Sequence, residues 1–226
     1  YRSGTGLVKV LTHEINKTAL LCRMPECLIS TYQDNMPLAA ELKADFEWAK
    51  SIAVGPGLSM NVAAAEITRC VLERDDKVRI LDADALNIIA GEHIDYKGSR
   101  EGQIIITPHI MEMSRLTGKT VADIKEHMIE SAKEYAIQHS CICIVTDGQK
   151  VYINCTGNDG MSTGGCGDVL TGLIAGMTAM GLDAFEAACL SVYVHGKAGD
   201  YAASGKGRAG MTAADVSEAI AYVLKR

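Results

Sequence analysis

Thr156 to Gly172 reads TGNDGMSTGGCGDVLTG, and the rest of the chain is organised around this stretch. Ser162-Thr163-Gly164-Gly165-Cys166-Gly167 is a run of small residues that leads into Asp168 and then into the helical sequence from Val169 onward. Glycine has no Cβ, so such a loop lets a ligand approach the backbone closely. Where the loop opens onto a helix, free N–H groups and the positive end of the helix dipole point at the ligand, a setting that suits phosphate. A carboxylate at Asp168 could orient or deprotonate a hydroxyl that attacks a phosphoryl group. The plainer alternative is a glycine-rich turn with Asp168 as an N-cap.

Outward from this loop, the chain has 226 residues, 48% hydrophobic and 22% charged, enough for one α/β domain with a substantial core. The sequence contains no apolar run long enough to span a bilayer. A net charge of −6 argues against nucleic acid as a partner, since phosphate backbones need a basic face. A small anion is still compatible, because loop amides bind phosphate without net positive charge. The eight cysteines form no CxxC pair, and several lie inside apolar runs. They read as reduced core thiols, which predicts a cytoplasmic protein.

Strand and helix signals alternate along the chain. Strands are expected at Gly6–Leu11, Cys27–Ser30, Ser51–Val54, Val78–Leu81, Ile104–Ile106, Cys141–Val145 and Lys150–Ile153. Helices are expected at Asn16–Cys22, Leu38–Lys50, Asn61–Arg74, Val121–His139, Val169–Met180, Ala184–Ala203 and Thr212–Lys225, the last opening on a capping-box variant. This alternation predicts a mainly parallel sheet covered on both faces, with ligands at the carboxyl ends of the strands. Those ends are Gly55-Pro56-Gly57, Asp82-Ala83-Asp84 and Thr107-Pro108-His109. Two common nucleotide signatures fail. Met60 stands where a dinucleotide fingerprint needs its third glycine, and Met113 where a P-loop ending in Gly118-Lys119-Thr120 needs its first.

Taken together, AVGPGLS (53–59), LDADALN (81–87), ITPHIMEMSRLTG (106–118), YINCTGNDGMSTGGCGDVLTGLIAG (152–176) and VHGKAGD (194–200) resemble the ADP/ATP-dependent NAD(P)H-hydrate dehydratases. That family is a branch of the ribokinase-like superfamily, and the motifs follow its order over nearly the whole chain. The resemblance implies a three-layer α/β/α fold and a single domain over residues 1–226. It also implies a repair reaction, in which ADP or ATP with Mg²⁺ phosphorylates the ring hydroxyl of hydrated NADH or NADPH. Phosphate then leaves, and the ring double bond returns.

Carried over residue by residue, the resemblance makes Asp168 the catalytic base. Gly57 and His109 would hold the hydrated dinucleotide together with Asp84 and Asn87, whose roles are less defined. Gly164, Gly165 and Gly167, with Asn158, would contact the nucleotide, and Glu112 would hold Mg²⁺ through water. Local alternatives stand beside each role. His109 could cap a loop, Glu112 could be a solvated first-turn residue, and Asp82 and Asp84 could bond backbone amides at the strand exit. His195 reads as core, as do Met177 and Met180. The Ala- and Gly-rich helices near the C-terminus suggest a homo-oligomer.

Two departures from the family pattern stand out. The chain starts beyond the family's glycine-rich first strand-turn. A Lys-Gly-type segment is also missing after Val145, either by true deletion or because a mobile loop lies outside the sequence; the second is expected. The competing functions are a ribokinase-like kinase of a small alcohol or vitamin precursor, and a nucleotide-binding protein without catalysis.

Overall fold

The computed structural model describes residues 1–33, 38–99, 103–144 and 146–225. β1 (Lys9–His13), α1 (Lys17–Arg23) and β2 (Leu28–Tyr32) build a two-stranded parallel sheet. After α2 (Leu38–Trp48) the main sheet begins, with β3 (Ser51–Val54), α3 (Val62–Leu72), β4 (Val78–Leu81), α4 (Ala83–Gly91) and β5 (Ile104–Ile106). Then come α5 (Ile110–Thr117), α6 (Val121–Glu126), α7 (Met128–His139) and β6 (Ile142–Cys143). The strands β3, β4, β5 and β6 lie side by side in that order, all parallel. The chain closes with α8 (Cys166–Ala179), α9 (Ala184–Lys206) and α10 (Ala213–Val223).

The strand residues explain the layering. Ile80, Ile105 and Ile142 are register partners and face one side, where they pack on Ile174 of α8 and on Ala184 and Ala188 of α9. Leu81, Ile106 and Cys143 are also partners and face the other side, against α2 to α7. Buried on both faces, these strands read as continuous apolar runs, as parallel strands do. Each fully buried Ile or Leu contributes roughly 2 kcal/mol. A further apolar cluster joins Leu173 and Met177 of α8, Ala198 of α9 and Ile220 of α10.

Several elements differ from expectation. The first strand lies at Lys9–His13, later than Gly6–Leu11, because Gly4 and Gly6 sit in a turn before it. The predicted helix over 121–139 is two, broken at His127, where α6 ends and α7 begins at φ −125° and ψ 47°. No strand forms over Lys150–Ile153 among the described residues; Val151 makes an isolated antiparallel bridge to Thr146, and Ile153 is exposed. Val145, the last residue of the predicted strand, lies outside the described residues. The Cys143 N–H donates to the Thr146 carbonyl and the Thr146 N–H to the Cys143 carbonyl, a tight reversal at the end of β6. In the sequence Thr146 follows Val145 directly, and the Lys-Gly-type segment expected as a mobile loop is not among the 226 residues. The small residues of α9, including Ala187, Ala188, Ala198 and Gly199, are buried within the chain itself and are not a surface awaiting a partner. No helix among the described residues is long and apolar enough to cross a membrane.

Candidate active site

Three strand exits and one helix start meet at the carboxyl edge of the sheet. At the end of β3, Gly55 has φ 125°, and a Cβ there would come 1.7 Å from the Asp82 carbonyl oxygen. Only glycine lets this loop cross so close to β4. Ser59, at φ 73°, turns its N–H onto Asp84 Oδ2 at 2.7 Å. Asp84 thus takes a backbone amide, the structural role its position allowed, and fixes the loop that carries Gly57. Ala83 enters α4 at φ 46°, a left-handed conformation that costs a non-glycine residue roughly 1–2 kcal/mol.

At the end of β5, His109 caps α5. Its Nδ1 accepts from the N–H groups of Met111 at 3.1 Å and Glu112 at 3.2 Å, while Glu112 Oε2 accepts from the His109 N–H at 2.9 Å. With Nδ1 an acceptor, the ring proton sits on Nε2, 3.2 Å from Glu112 Oε1. Glu112 is buried, not solvated, whereas the His109 side chain is 63% exposed. The cap therefore orients an imidazole whose open face is free for a ligand. Burial raises the proton affinity of Glu112 and nearby Asp82 adds to it, against the bond from the His109 N–H.

α8 brings the glycine loop to these exits. Gly165, its N-cap, has φ 91°, and no side chain caps the terminus, so first-turn N–H groups stay open to water or a ligand. Thr171 donates to Asp82 Oδ2 at 2.6 Å, and its hydroxyl also lies 3.4 Å from that of Thr107 at the β5 exit. This pins Asp168, one turn earlier, over the ends of β4 and β5. Its pKa is raised, first by desolvation and then by the negative charges of Asp82 and Asp84. Gly164 and Gly167 are different: a Cβ at either would meet nothing within 4 Å, and neither has a positive φ. The fold itself does not require glycine at these two positions.

The remaining predicted residues shape the loop or its edge. Asn158 Oδ1 accepts from the Gly160 N–H, and its amide donates to Asp200 Oδ1 at 3.0 Å. Asp200 also accepts from the Gly157 N–H, and the Asn158 bond holds its carboxyl below the usual range. His195 is buried, as expected, and its ring approaches the Cys166 carbonyl at the start of α8; Nε2 is unpartnered. Asn87 Oδ1 accepts from Arg115 Nη1 at 2.6 Å. Arg115, Thr107, Thr171 and Ser59 lie within or beside the quoted motifs but carried no assigned role. Arg115 follows Glu112 by three residues, a helical spacing that could have flagged it. Among the described residues no three His, Cys, Asp or Glu side chains converge closely enough to hold a metal by themselves.

Comparison with known proteins places this arrangement. Residues 1–222 match the protein family described as NAD(P)H-hydrate dehydratase. The chain is 42% identical over 183 residues to the bifunctional NAD(P)H-hydrate repair enzyme of Moorella thermoacetica, covering 77% of this chain and 34% of that protein. It is 30% identical over 220 residues to the ADP-dependent (S)-NAD(P)H-hydrate dehydratase of Neisseria meningitidis, covering 92% of this chain and 71% of that one. The chain spans less than half the length of the bifunctional relatives, 44% in the case of Leishmania infantum. Among solved structures, the ADP/ATP-dependent NAD(P)H-hydrate dehydratase of Bacillus subtilis, co-crystallised with ATP and Mg²⁺, superposes with a TM-score of 0.84 at 29% identity, over 98% of this chain and 79% of that one. A ribokinase-like superfamily protein from Enterococcus faecalis superposes with a TM-score of 0.82 at 25% identity, again over 98% of this chain and 78% of the other. With a family match that runs through nearly its entire length, and the three-layer parallel sheet to go with it, the chain belongs to the NAD(P)H-hydrate dehydratase family and has the ribokinase-like fold.

Proposed function

We propose that this chain is a single catalytic domain that restores NADH or NADPH from the hydrated form, with ADP or ATP as phosphoryl donor. The observation that carries the reading is a carboxylate of raised proton affinity, Asp168, beside a glycine loop whose bare faces at Gly164 and Gly167 look onto open space. Glycines that packing does not demand are explained by a ligand pressed against the backbone. Asp168 takes the proton of the ring hydroxyl as its oxygen forms a bond to the transferred phosphorus and the donor's bridging P–O bond breaks. Open N–H groups at the start of α8, with Gly165, stabilise charge on the phosphoryl oxygens. The C–O bond then breaks as the ring nitrogen donates its lone pair and inorganic phosphate departs. Loss of a proton from the adjacent ring carbon restores the double bond. His109 and Gly57, on loops fixed by Glu112 and Asp84, hold the nicotinamide half. Asn158, braced by Asp200, shapes the nucleotide side.

The acidic residues here fit Mg²⁺ in one way. Glu112 and Asp82 lie within electrostatic reach of each other, and no third ligand joins them among the described residues. Mg²⁺ keeps several waters and binds through one or two carboxylates plus substrate phosphates, so Glu112 would hold it through water. When bound, it neutralises charge on the donor's phosphates. The cysteines are all free thiols, which favours a reducing compartment such as the cytoplasm. A homo-oligomer would use the exposed Leu190, Tyr193, Tyr201 and Tyr222 on α9 and α10.

Mixing the protein with hydrated NADH, Mg²⁺ and either ADP or ATP tests the reading. Absorbance at the reduced-nicotinamide band is expected to recover with at least one donor. Nucleotide binding without recovery would instead favour a kinase of another alcohol.

A further inference from the structure

A hollow of about 540 Å³ is lined by Met60, Asn87, Ala90, Gly91, His93 and Arg115. Its volume lies in the range of small-molecule sites. It continues directly from the strand exits. Met60 follows Ser59, whose N–H is fixed on Asp84; Asn87 lies one turn beyond Asp84 on α4, and Arg115 one turn beyond Glu112 on α5. From Asp84 to Gly91 the helix advances about 10 Å. The hollow thus leads away from Asp168 along the groove between α4 and α5, whose contact is extensive.

The charge of this groove depends on Arg115. Arg69, Arg74 and Arg208 each pair with a carboxylate, whereas among the described residues no carboxylate lies within ion-pair distance of Arg115. Its bond goes to the neutral amide oxygen of Asn87, which anchors one edge of the guanidinium and leaves its other donors available. An arginine held in this way is suited to a phosphate, which it can meet with two parallel N–H bonds. Met60 and Ala90 supply apolar surface beside it. Resting on the function proposed above, we propose that this hollow receives the adenylate half of the hydrated dinucleotide, and that Arg115, oriented by Asn87, binds one of its phosphates.

The test compares the wild type with Arg115→Ala and Arg115→Lys, using hydrated NADH and hydrated NADPH as substrates. In Arg115→Ala, KM is expected to rise about tenfold to a hundredfold, more than kcat falls. Lysine, a point charge without the planar fork, is expected to restore part of the loss. A rise confined to hydrated NADPH assigns the 2′-phosphate as the group bound; a rise with both assigns the diphosphate, and either supports the proposal. KM values unchanged for both substrates would overturn it. A second measurement stands apart from activity. Adenosine 2′,5′-bisphosphate is titrated calorimetrically into protein saturated with ADP, so that the glycine loop is occupied. Binding that weakens in Arg115→Ala supports the subsite even if the wild type fails to dehydrate the hydrate. Equal affinity in wild type and variant, or no binding to either, overturns the subsite while leaving the dehydratase reading intact.

Discussion

Asp168 is exposed, yet partial desolvation at the start of α8 and the nearby charges of Asp82 and Asp84 make it hold its proton more tightly than an ordinary aspartate. A base with raised proton affinity is better matched to taking a proton near neutral pH. The acid limb of the pH–rate profile is therefore expected above the ordinary aspartate value of about 4. The same shift has a sign for stability. A carboxyl whose folded pKa exceeds its unfolded one favours folding while both states are protonated, and loses that contribution as pH rises through the folded value. At neutral pH this shift makes Asp168 at most a slight burden on the fold, because the side chain is exposed and screened. Asp168→Asn is expected to abolish turnover yet unfold in urea at an equal or higher concentration at pH 7, with the difference shrinking near pH 4. A variant less stable at pH 7 would contradict this account. The sequence marked Asp168 by its glycine loop and His109 and Glu112 by their place after a strand exit, while the roles proposed for them came from the family resemblance. Arg115 was marked only by its helical spacing from Glu112; its bond to Asn87 was not legible, because it joins residues 28 positions apart through the packing of two helices that periodicity does not pair.

α5 shows how one element serves both folding and chemistry. Its capping box is reciprocal, with His109 accepting from the first turn and Glu112 accepting from the His109 N–H. A glutamine can fill the Glu112 place in such a box, but alanine cannot. Glu112→Ala is expected to cost roughly 1–2 kcal/mol of stability and Glu112→Gln clearly less, by urea denaturation. Both should raise the Mg²⁺ concentration needed for turnover, so a Gln variant with wild-type metal dependence would leave Glu112 as a cap alone. The elements that sequence misplaced have equally local causes. Apolar spacing runs unbroken through His127, yet Thr120 and Asp123 cap α6 and the chain turns before α7. Val151 and Ile153 have β-forming side chains, but among the described residues the main sheet ends at β6 and gives them no ladder to join.

At the scale of the molecule, the main sheet carries α2 to α7 on one face and α8 and α9 on the other, and His195 lies in the second of these layers. Burial depresses its proton affinity, while the Cys166 carbonyl opposes this. A buried neutral histidine must give way when the unfolded chain takes up a proton, so stability falls as pH drops below the ordinary value of 6.5. One such proton is worth at most about 1.4 kcal/mol per pH unit. His195→Gln is expected to flatten this slope, read as the change in unfolding midpoint between about pH 7.5 and pH 5.5. A slope identical to wild type would assign the loss to other groups. The three-layer plan was legible from the alternation of strands and helices, whereas the return of α8 over β3 and β4 is a tertiary event that no local pattern announces. That return has a consequence in time. Thr171 reaches Asp82 across 89 residues, and Ser51 reaches the Ala175 carbonyl across 124. During translation, the exits of β3, β4 and β5 leave the ribosome long before α8 does. A chain interrupted there would present His109 and Glu112 without Asp168, and the proposed site is complete only once α8 has been made and has folded back over β3 and β4.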